Sequence, residues 1–473
     1  MKLLFLQFTF ILIGSVVAFE LNETLGDILK ELRLDLDTTL VTLFPELAPE
    51  INKLRNVNDE CYNKMVGNQT INIFNESIPT IITQFYKRYP TEQSRLEFLS
   101  HIPNILENLF KLAKKILDCV NESNPAKRTA NGITSLFIYS ESQYLKQILD
   151  QSLGDKMSST KNISSIEQIK LGDDVQSRCS VDPLPTDTTI PDRFNWHDQG
   201  YVTPIRNQGL CESCYIFGTV AALESQYMLN VRKETVSFSE QAILNCMRPS
   251  NGYQSDGCKG GLMSDPMDRM KSIGVTLQQY APYYGEQKNC ESYPIFIKED
   301  SYCLNEKLTN DQIKRLILRN GPGAIGINAD QMMYLRGPFN DRCRNSKPNH
   351  SVLVVGWNDK YWIIKNSWTE NWGLDGYLYL PIEDCNCNAN LLLAQPIINS
   401  RNGQSQNVFK SLIVDNPNSN QEQNSNQNQD YSYNDNSNSQ NTVNYNYNLY
   451  SNSPNNVNYN YDNNDSDDYD YMY

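Results

Sequence analysis

The chain has 473 residues, 39% of them hydrophobic and 10% aromatic, which is enough for a sizeable core in two or three folding units. Its formal net charge is −14 at pH 7, but nine carboxylates lie from Asp415 onward, where Lys and Arg are absent, so −14 + 9 = −5 remains for the rest. Such a charge balance argues against nucleic-acid binding.

The first 18 residues predict a signal peptide. Lys2 precedes an apolar run from Leu3 to Ile13, and Val16 and Ala18 occupy small-residue positions before a cleavage site. The alternative is a membrane anchor, but the segment is short and no other apolar run approaches 18 residues. We therefore expect a secreted chain without a membrane anchor, and twelve cysteines on that route predict disulfides.

Residues 19–189, called the pro-region below, predict a helical unit and a connector. Apolar residues from Leu96 to Ile116 recur at three- and four-residue spacing, as in an amphipathic helix. Cys61 and Cys119, the two cysteines between residues 19 and 170, are candidates to pair with each other. The connector, residues 172–189, is polar and contains two prolines, which favours an exposed segment open to proteolysis.

The pro-region also carries five sequons for N-glycosylation. Because Asn-rich chains produce sequons by chance, we expect about half of them to be occupied. The acceptors are Asn22, Asn68, Asn75, Asn121 and Asn162. A further formal sequon begins at Asn349, and we expect it to be largely empty.

A cysteine, Cys214, stands where a helix is predicted to begin. Ser213 is a good N-cap residue, and the residues through Asn230 carry apolar side chains at helical spacing. A thiol in the first turn feels the positive end of the helix dipole, which favours the thiolate. We therefore predict that Cys214 is a nucleophile.

Such a nucleophile needs a base that also protonates the leaving amine, and the chain has three histidines, His101, His197 and His350. His350 is the one that opens a predicted strand, and Asn366 ends the next. A hairpin between these strands would place the two side chains next to each other. Four strands of an antiparallel, barrel-like sheet are predicted in this half, at 324–327, 351–357, 361–365 and 376–380.

These motifs resemble those of the papain-like cysteine proteases, cathepsin L-like group. His350 and Asn366 follow Cys214 by 136 and 152 residues, which matches the family spacing. Further matches are Gly-Cys-Lys-Gly-Gly at 257–261 and Lys-Asn-Ser-Trp at 365–368. The resemblance covers roughly residues 190–398. It implies an α+β fold with a helical lobe and an antiparallel barrel-like β lobe, here called the catalytic unit, residues 190–400.

The resemblance also implies the roles of individual residues. Gln208 would form the oxyanion hole with the backbone N–H of Cys214, and Asn366 would orient His350 beneath a shield made by Trp368. Substrate would meet the backbone at Gly260 and Gly261, and the pocket for the residue before the scissile one at Leu262, Met263, Gly326, Ser351 and Leu392. Leu262 and Met263 are alternatively plain core residues. No metal or cofactor is implied.

Three disulfides follow from the same resemblance: Cys211–Cys258, Cys246–Cys290 and Cys343–Cys387. Cys179, Cys303 and Cys385 have no family partner. Two positions depart from the family pattern, since Glu212 replaces a glycine and Tyr215 replaces the commoner tryptophan. Glu212 adds a carboxylate near the cleft and would oppose ionisation of the thiol.

The resemblance implies a cysteine endopeptidase that cleaves polypeptides at acid pH, made as a monomeric, extracellular or lysosomal or vacuolar zymogen. Residues 85–170 or so would act as its intramolecular inhibitor. Alternatives are an inactive homologue that binds peptides or serves as a matrix protein, and an aminodipeptidase-type relative. Residues 401–473 are rich in Asn, Ser, Gln and Tyr with few aliphatic side chains, which predicts a disordered tail, or one that self-associates weakly.

Overall fold

The computed structural model describes residues 25, 29, 34, 38–49, 61–63, 65–66, 69–70, 73, 76–86, 98–124, 127–132, 134–140, 143–144, 189–341, 343, 348–382, 387, 389 and 392–399. The predicted signal peptide, most of the connector, the tail and four of the five pro-region sequons lie outside these residues. Asn121 is described and is exposed at the end of a helix. Within the described residues, no helix combines the length and apolarity needed to cross a membrane.

The described part of the pro-region is mainly helical. Its helices are α1 (Leu40–Leu43), α2 (Ile78–Tyr86) and α3 (Ile102–Asn121), and its short strands are β1 (Tyr62–Asn63), β2 (Met65–Val66), β3 (Gln69–Thr70) and β4 (Asn131–Gly132). Helix α3 realises the predicted apolar periodicity, since Ile102, Ile105, Leu109 and Leu112 are all fully buried. A disulfide joins Cys61 to Cys119 and holds the start of β1 against the end of α3.

The helical lobe of the catalytic unit is arranged around one central helix. This helix, α4, spans Cys214–Asn230, and α5 (Glu240–Leu244) and α6 (Ser264–Ser272) follow it. Every residue of α4 except Tyr227 is buried, so the helix lies inside the molecule and is not the one-sided amphipathic helix suggested by its spacing. It packs against the sheet on one side and against α5 and α6 on the other.

The start of α4 differs from the prediction in one detail. Ser213 is the N-cap residue, but its side chain makes no capping hydrogen bond. Its hydroxyl instead lies 2.8 Å from the hydroxyl of Tyr283. The cap prediction is therefore right about position and wrong about mechanism, because a tertiary partner competes for the side chain.

The β lobe is a seven-stranded antiparallel sheet whose order is β10-β9-β8-β7-β11-β6, with β5 paired to β8. Helix α7 (Asn310–Asn320) packs against it. The strands are β5 (Phe194–Asn195), β6 (Ser301–Glu306), β7 (Gly323–Ile327), β8 (His350–Trp357), β9 (Tyr361–Lys365), β10 (Tyr377–Pro381) and β11 (Leu392–Ile397). The four predicted strands correspond to β7, β8, β9 and β10 within one residue at each end.

The hairpin of β8 and β9 positions the predicted catalytic residues. Trp357 pairs with Trp362 at the turn, where the side chain of Asn358 accepts hydrogen bonds from the amides of Lys360 and Tyr361. The register shifts between Val354 and Gly356, a β-bulge. The start of β8 and the residue after β9 therefore meet at the same end of the hairpin.

Candidate active site

Cys214, His350 and Asn366 meet where the helical lobe joins the sheet. Cys214 is the first residue of α4, His350 is the first of β8, and Asn366 follows the last residue of β9. His350 Nε2 lies 2.8 Å from Asn366 Oδ1. Within the described residues His350 Nδ1 has no hydrogen-bond partner, so this nitrogen remains available for the thiol. The backbone amide of Ser351, next to His350, interacts with the Cys214 thiol, which places the thiol beside the base.

The thiol and the imidazole are both fully buried in the full-length chain. Burial is the largest influence on each: it raises the pKa of Cys214 to about 12 and lowers the pKa of His350 to about 4. Backbone amides of Cys214 and Tyr215 at the helix N-terminus, and of Ser351 on β8, act in the opposite direction on the Cys214 pKa, but burial outweighs them. Burial therefore favours the neutral thiol and the neutral imidazole over the charged pair.

Trp368 covers the His350 imidazole. The Trp368 ring stacks on the His350 ring, with centroids 4.4 Å apart and an interplanar angle of 21°. The Trp372 ring packs edge-on against the Trp368 ring, with centroids 5.0 Å apart. Trp368 is fully buried. The His350–Asn366 hydrogen bond is consequently kept away from water, which strengthens it.

Gln208 is held rigidly in front of Cys214. Its side-chain nitrogen donates to the carbonyl of Cys211 at 2.9 Å, and its side-chain oxygen accepts from the hydroxyl of Ser367 at 2.7 Å. Its backbone is fixed as well, by Ser367 and Tyr283. The supporting roles of Ser367 and Tyr283 were not visible in the sequence, because nothing in their spacing links them to Gln208.

Tyr215 and Glu212, the two departures from the family pattern, each interact with groups near the start of α4. The hydroxyl of Tyr215 donates to the carbonyl of Gly257 at 3.1 Å, and its ring lies where a Cβ on Gly261 would sit, at 2.6 Å. Gly261 is thus the residue that makes room for Tyr215. Glu212 is half-buried, and its carboxylate contributes to the raised pKa of Cys214, as the sequence suggested.

The predicted substrate-binding residues fall into two groups. Gly260, Gly261, Leu262 and Met263 form one buried stretch leading into α6, and Leu262 and Met263 belong to the core cluster that contains Cys214. In the full-length chain these two side chains are therefore core residues. Gly260 has a positive φ of 92°, a conformation that requires glycine.

The second group lies across three neighbouring strands. Gly326 on β7 pairs with Ser351 on β8, and Leu392 begins β11, the other neighbour of β7. Ser351 is turned inward, since its hydroxyl would lie 2.8 Å from a Cβ on Gly218 of α4. Leu392 is half-exposed. Of this group, the Ser351 side chain contacts the central helix rather than an open cleft.

A buried cluster of four charged side chains lies behind the catalytic residues. Arg206 donates to Glu224 and to Glu240, each at 2.6 Å. Lys365, the residue before Asn366, donates to Thr203 at 2.9 Å. Thr203 in turn donates to Glu224 at 2.5 Å. Two positive and two negative groups thus balance each other in the interior.

This cluster lines a cavity between α4 and the β8–β9 hairpin. The lining includes Ser351, Asn366 and Ser367 as well as the charged residues. Sequence reasoning missed the cluster, although Glu224 in an otherwise largely apolar helix was a usable signal, because a buried carboxylate needs partners. Burial lowers the pKa of Lys365 to about 8 and raises that of Glu240.

The pro-region docks on the β lobe beside this site. Asn131 pairs with Leu335, Gly132 donates to the carbonyl of Tyr334 at 2.9 Å, and Thr134 donates to that of Met333 at 2.9 Å. The loop at 329–340 therefore receives the segment 128–144 mainly through the loop's own backbone groups, which bond to both backbone and side-chain atoms of the pro-region. This loop was not singled out in the sequence.

The docked segment reaches Trp368. Ser135 donates to the Trp368 carbonyl at 2.7 Å, and the ring of Tyr144 packs edge-on against the Trp368 ring at 5.7 Å. The hydroxyl of Tyr144 also donates to the carbonyl of Ala329. The pro-region thereby contacts the side chain that covers His350.

The remaining predicted features are placed as follows. The structure joins Cys211 to Cys258, Cys246 to Cys290 and Cys343 to Cys387, and Cys214 is the free thiol among the described cysteines. Asn349 is buried, and its side-chain nitrogen donates to Asp330 at 2.6 Å. His197 is exposed, and half-buried His101 stands at the N-cap position of α3 without a side-chain capping hydrogen bond, so neither joins Cys214.

Comparisons with known proteins agree with this geometry. Residues 190–397 match the sequence model of the papain family cysteine proteases. A cathepsin L-like proteinase of Fasciola hepatica is 34% identical over 198 residues, which are 40% of this chain and 60% of that protein. A viral cathepsin of Cydia pomonella granulosis virus is 27% identical over 327 residues, which are 67% of this chain and 89% of that protein.

The comparison of structures extends into the pro-region. The digestive procathepsin L2 proteinase from Tenebrio molitor larval midgut matches with a TM-score of 0.54 at 22% identity, over 67% of this chain and 98% of that one. At this identity the match concerns the fold. The chain spans 53–60% of the length of the first curated relatives that it matches.

Proposed function

We infer that the chain is a cysteine endopeptidase made as a zymogen, because residues 190–397 belong to the papain family of cysteine proteases. The observation that carries the proposal is the position of Cys214 at the start of α4, beside His350 whose Nε2 is bonded to Asn366. In this proposal Cys214 is the nucleophile, His350 the base and Asn366 the orienting group.

In the proposed reaction the Cys214 thiolate attacks the carbonyl carbon of a peptide bond, and its proton resides on His350 Nδ1. The oxyanion is stabilised by the backbone N–H of Cys214 and by the side chain of Gln208. His350 then protonates the leaving amine, which leaves a thioester on Cys214. Water, deprotonated by His350, hydrolyses the thioester and regenerates the enzyme.

We propose that Asn366 acts by orientation. Its bond to Nε2 holds the ring so that Nδ1 faces the thiol, and Trp368 keeps this bond dry. The substrate backbone would bind along Gly260 and Gly261, with side-chain pockets formed by Leu262, Met263, Gly326 and Leu392 once the pro-region has left.

The pro-region is proposed as the intramolecular inhibitor. Its support is the docking of segment 128–144 on loop 329–340 and on Trp368, together with the complete burial of Cys214 and His350 in the full-length chain. Removing it would expose both groups to water, and this lowers the pKa of the thiol and raises that of the imidazole. We expect secretion or delivery to a lysosome or vacuole, and proteolysis at acid pH.

One observation favours a second reading, an inactive homologue that binds peptides. The Glu212 carboxylate opposes ionisation of the Cys214 thiol, in a place where the family has glycine. The two readings make opposite predictions for a peptidyl epoxide or vinyl sulfone, which reacts with an activated thiolate and not with an ordinary thiol.

The experiment compares three samples: full-length chain, chain processed near residue 190 and separated from its pro-region, and the same separated chain carrying Cys214→Ala. An endopeptidase zymogen labels only in the second sample, on Cys214, and cleaves a protein substrate there. Absence of labelling in correctly folded, processed wild-type chain would establish the inactive reading. Equal labelling before and after processing would contradict the inhibitory role of the pro-region.

A further inference from the structure

One cysteine that the family resemblance leaves without a partner is disulfide-bonded. Cys303 lies in the middle of β6, is 1% exposed, and is in a disulfide. The chain has twelve cysteines, of which eight form the four disulfides described above and Cys214 is a free thiol. The partner of Cys303 is therefore Cys179 of the connector or Cys385, both outside the described residues.

The sheet register separates Cys303 from the region of Cys385. Cys303 is opposite Gln395 of β11, and Leu393 of β11 is opposite Ile325 of β7. Asn328 lies three residues past Ile325. It is therefore five residues from Cys303 along the strand direction and two strands from it across the sheet. With about 3.3 Å per residue and about 4.8 Å per strand, this is a separation of roughly 19 Å.

Cys387, two residues after Cys385, lies near the far end of this separation. The Asn328 amide donates to the carbonyl of Cys387 at 2.9 Å, so these residues are adjacent. Two residues span at most about 7 Å, and a disulfide requires Cα atoms within about 7 Å. Cys385 would come within disulfide distance of Cys303 only if residues 385–387 were fully extended and ran across β7 and β11 towards β6.

Cys179 has no such restriction. The catalytic unit begins beside the end of β8, where Trp357 donates to the Pro191 carbonyl at 3.0 Å. By the same register this point lies roughly 20 Å from Cys303. The eleven residues from Cys179 to Ile190 span up to about 36 Å, so the connector reaches β6 with length to spare. Among the described residues β6 is also an edge strand of the sheet.

We propose that Cys303 is disulfide-bonded to Cys179, so that the connector is covalently attached to the catalytic unit. Formation of the bond removes two protons and two electrons from the two thiols, and a disulfide of an oxidoreductase in the secretory pathway accepts them. Reduction by a dithiol reverses the step. Cys385 then carries a free thiol.

This bond changes what a single activating cut achieves. A cut between residues 180 and 189 leaves the pro-region joined to the catalytic unit through sulfur, and a tethered inhibitor has a high effective concentration at its docking loop. Release requires reduction of the bond or a second cut on the amino-terminal side of Cys179. The device does not depend on the proposed peptidase activity, because the disulfide exists in the intact chain.

Peptide mapping of the intact chain tests the pairing directly. Full-length protein carrying Cys214→Ala is alkylated at acid pH and digested with trypsin without reductant. Cleavage after Arg178, Arg193, Lys298 and Lys307 places Cys179 in peptide 179–193 and Cys303 in peptide 299–307, while Cys385 lies in peptide 366–401. We expect 179–193 joined to 299–307, and alkylated Cys385. A link between 299–307 and 366–401 that involves Cys385 would overturn the proposal.

The consequence is tested on chain cut once in the connector, at a protease recognition sequence substituted for residues 183–188. The wild-type pro-region should separate from the catalytic unit on a denaturing gel only after reduction. Cys179→Ser and Cys303→Ser should release it without reductant, whereas the matched control Cys385→Ser should behave as wild type. Release from the wild-type chain without reductant contradicts the tether.

Discussion

At the scale of single residues, the site is defined by how burial and neighbouring charges act on one thiol. Burial is the largest influence on the Cys214 pKa, and the Glu212 carboxylate raises it further. If the proposed removal of the pro-region exposes the thiol, the first influence weakens and the second remains. Cys214, His350 and Asn366 were predictable from sequence because they belong to motifs with fixed spacing. The roles of Ser367 and Tyr283 were not, since their contacts with Gln208 depend on folding that joins distant segments.

The first prediction concerns Glu212 in the processed enzyme. Glu212→Gln removes a carboxylate that raises the pKa of Cys214, so the apparent thiol pKa should fall by about 0.5 unit, and the acid limb of activity should shift to lower pH. The rate of Cys214 alkylation as a function of pH measures this. Glu234→Gln, an exposed residue beyond the other end of α4, is the control and should leave the profile unchanged.

The second prediction concerns the sequon at Asn349. In the folded chain this side chain is buried and accepts from Ala329 while donating to Asp330, so it is inaccessible to glycosylation once the sheet has formed. We expect glycopeptide mapping to find Asn349 empty and Asn121, which is exposed, occupied in a fraction of molecules. Substantial occupancy of Asn349 in molecules that react with a thiolate-directed inhibitor would contradict this placement.

At the scale of secondary-structure elements, the molecule is organised by α4 and the β8–β9 hairpin. The hairpin was predictable because two short apolar runs on either side of the Asn358-Asp359 turn are local signals. β6 and β11 were harder to locate, since their pairing joins residues about 90 apart and their sequences are mixed in character. The charged cluster was not foreseen, because it joins Arg206, two helices and β9, and no local pattern relates them.

The third prediction concerns this cluster. Glu224→Gln leaves Arg206 with one carboxylate and removes the acceptor used by Thr203, so two positive charges remain in the interior against one negative charge. Breaking a buried ion pair in this way destabilises a protein by about 3–5 kcal/mol. Urea unfolding of the full-length Cys214→Ala chain measures the change, with Arg193→Gln as control. Arg193 pairs with Asp359 at the surface, and its loss should change stability by about 0–1 kcal/mol.

A smaller loss from Glu224→Gln than from Arg193→Gln would mean that the cluster does not hold the two lobes together. An accompanying fall in the kcat of the processed enzyme with little change in KM would show that α4 has shifted relative to Asn366. A merely structural loss of stability would reduce the yield of folded enzyme and leave both constants per active site unchanged.

At the scale of the whole molecule, the proposed latency depends on one docked segment and on the burial of Cys214 and His350 in the full-length chain. The general arrangement, a helical pro-region before a two-lobed unit, was predictable from composition and motifs. The docking loop at 329–340 was not, because its recognition uses backbone groups of Met333, Tyr334 and Leu335, which leave no mark in the sequence.

We expect acid to release the pro-region from its docking loop, because His350, the predicted base, takes up a proton more readily when it is exposed. Burial lowers the pKa of His350 from its usual 6.5 to about 4 in the docked form. Between these two pH values the open form, in which His350 is exposed to water, binds a proton that the docked form does not bind. The docked form therefore loses stability as pH falls from 6.5 to 4, with no further loss below that. The raised pKa of Cys214 weakens docking only at alkaline pH.

One interface carboxylate acts in the opposite direction. Asp341 lies near Lys115 and Thr129 of the pro-region, and burial, its largest influence, raises its pKa. Protonation of Asp341 therefore favours the docked form as the pH falls through its raised pKa. Acid opening thus requires that the effect of His350 exceed that of Asp341, which separate variants can establish.

The last prediction is that His350 controls this opening. Hydrogen exchange of segment 131–140, corrected for intrinsic rates, should rise in the full-length Cys214→Ala chain as the pH falls from 6.5 to 4.5. Adding His350→Gln, which cannot take up a proton, should flatten the response across this window, whereas adding Asp341→Asn should preserve or enlarge it. An unchanged rise in the His350→Gln chain would assign the acid response to other groups of the pro-region and remove His350 from the switch.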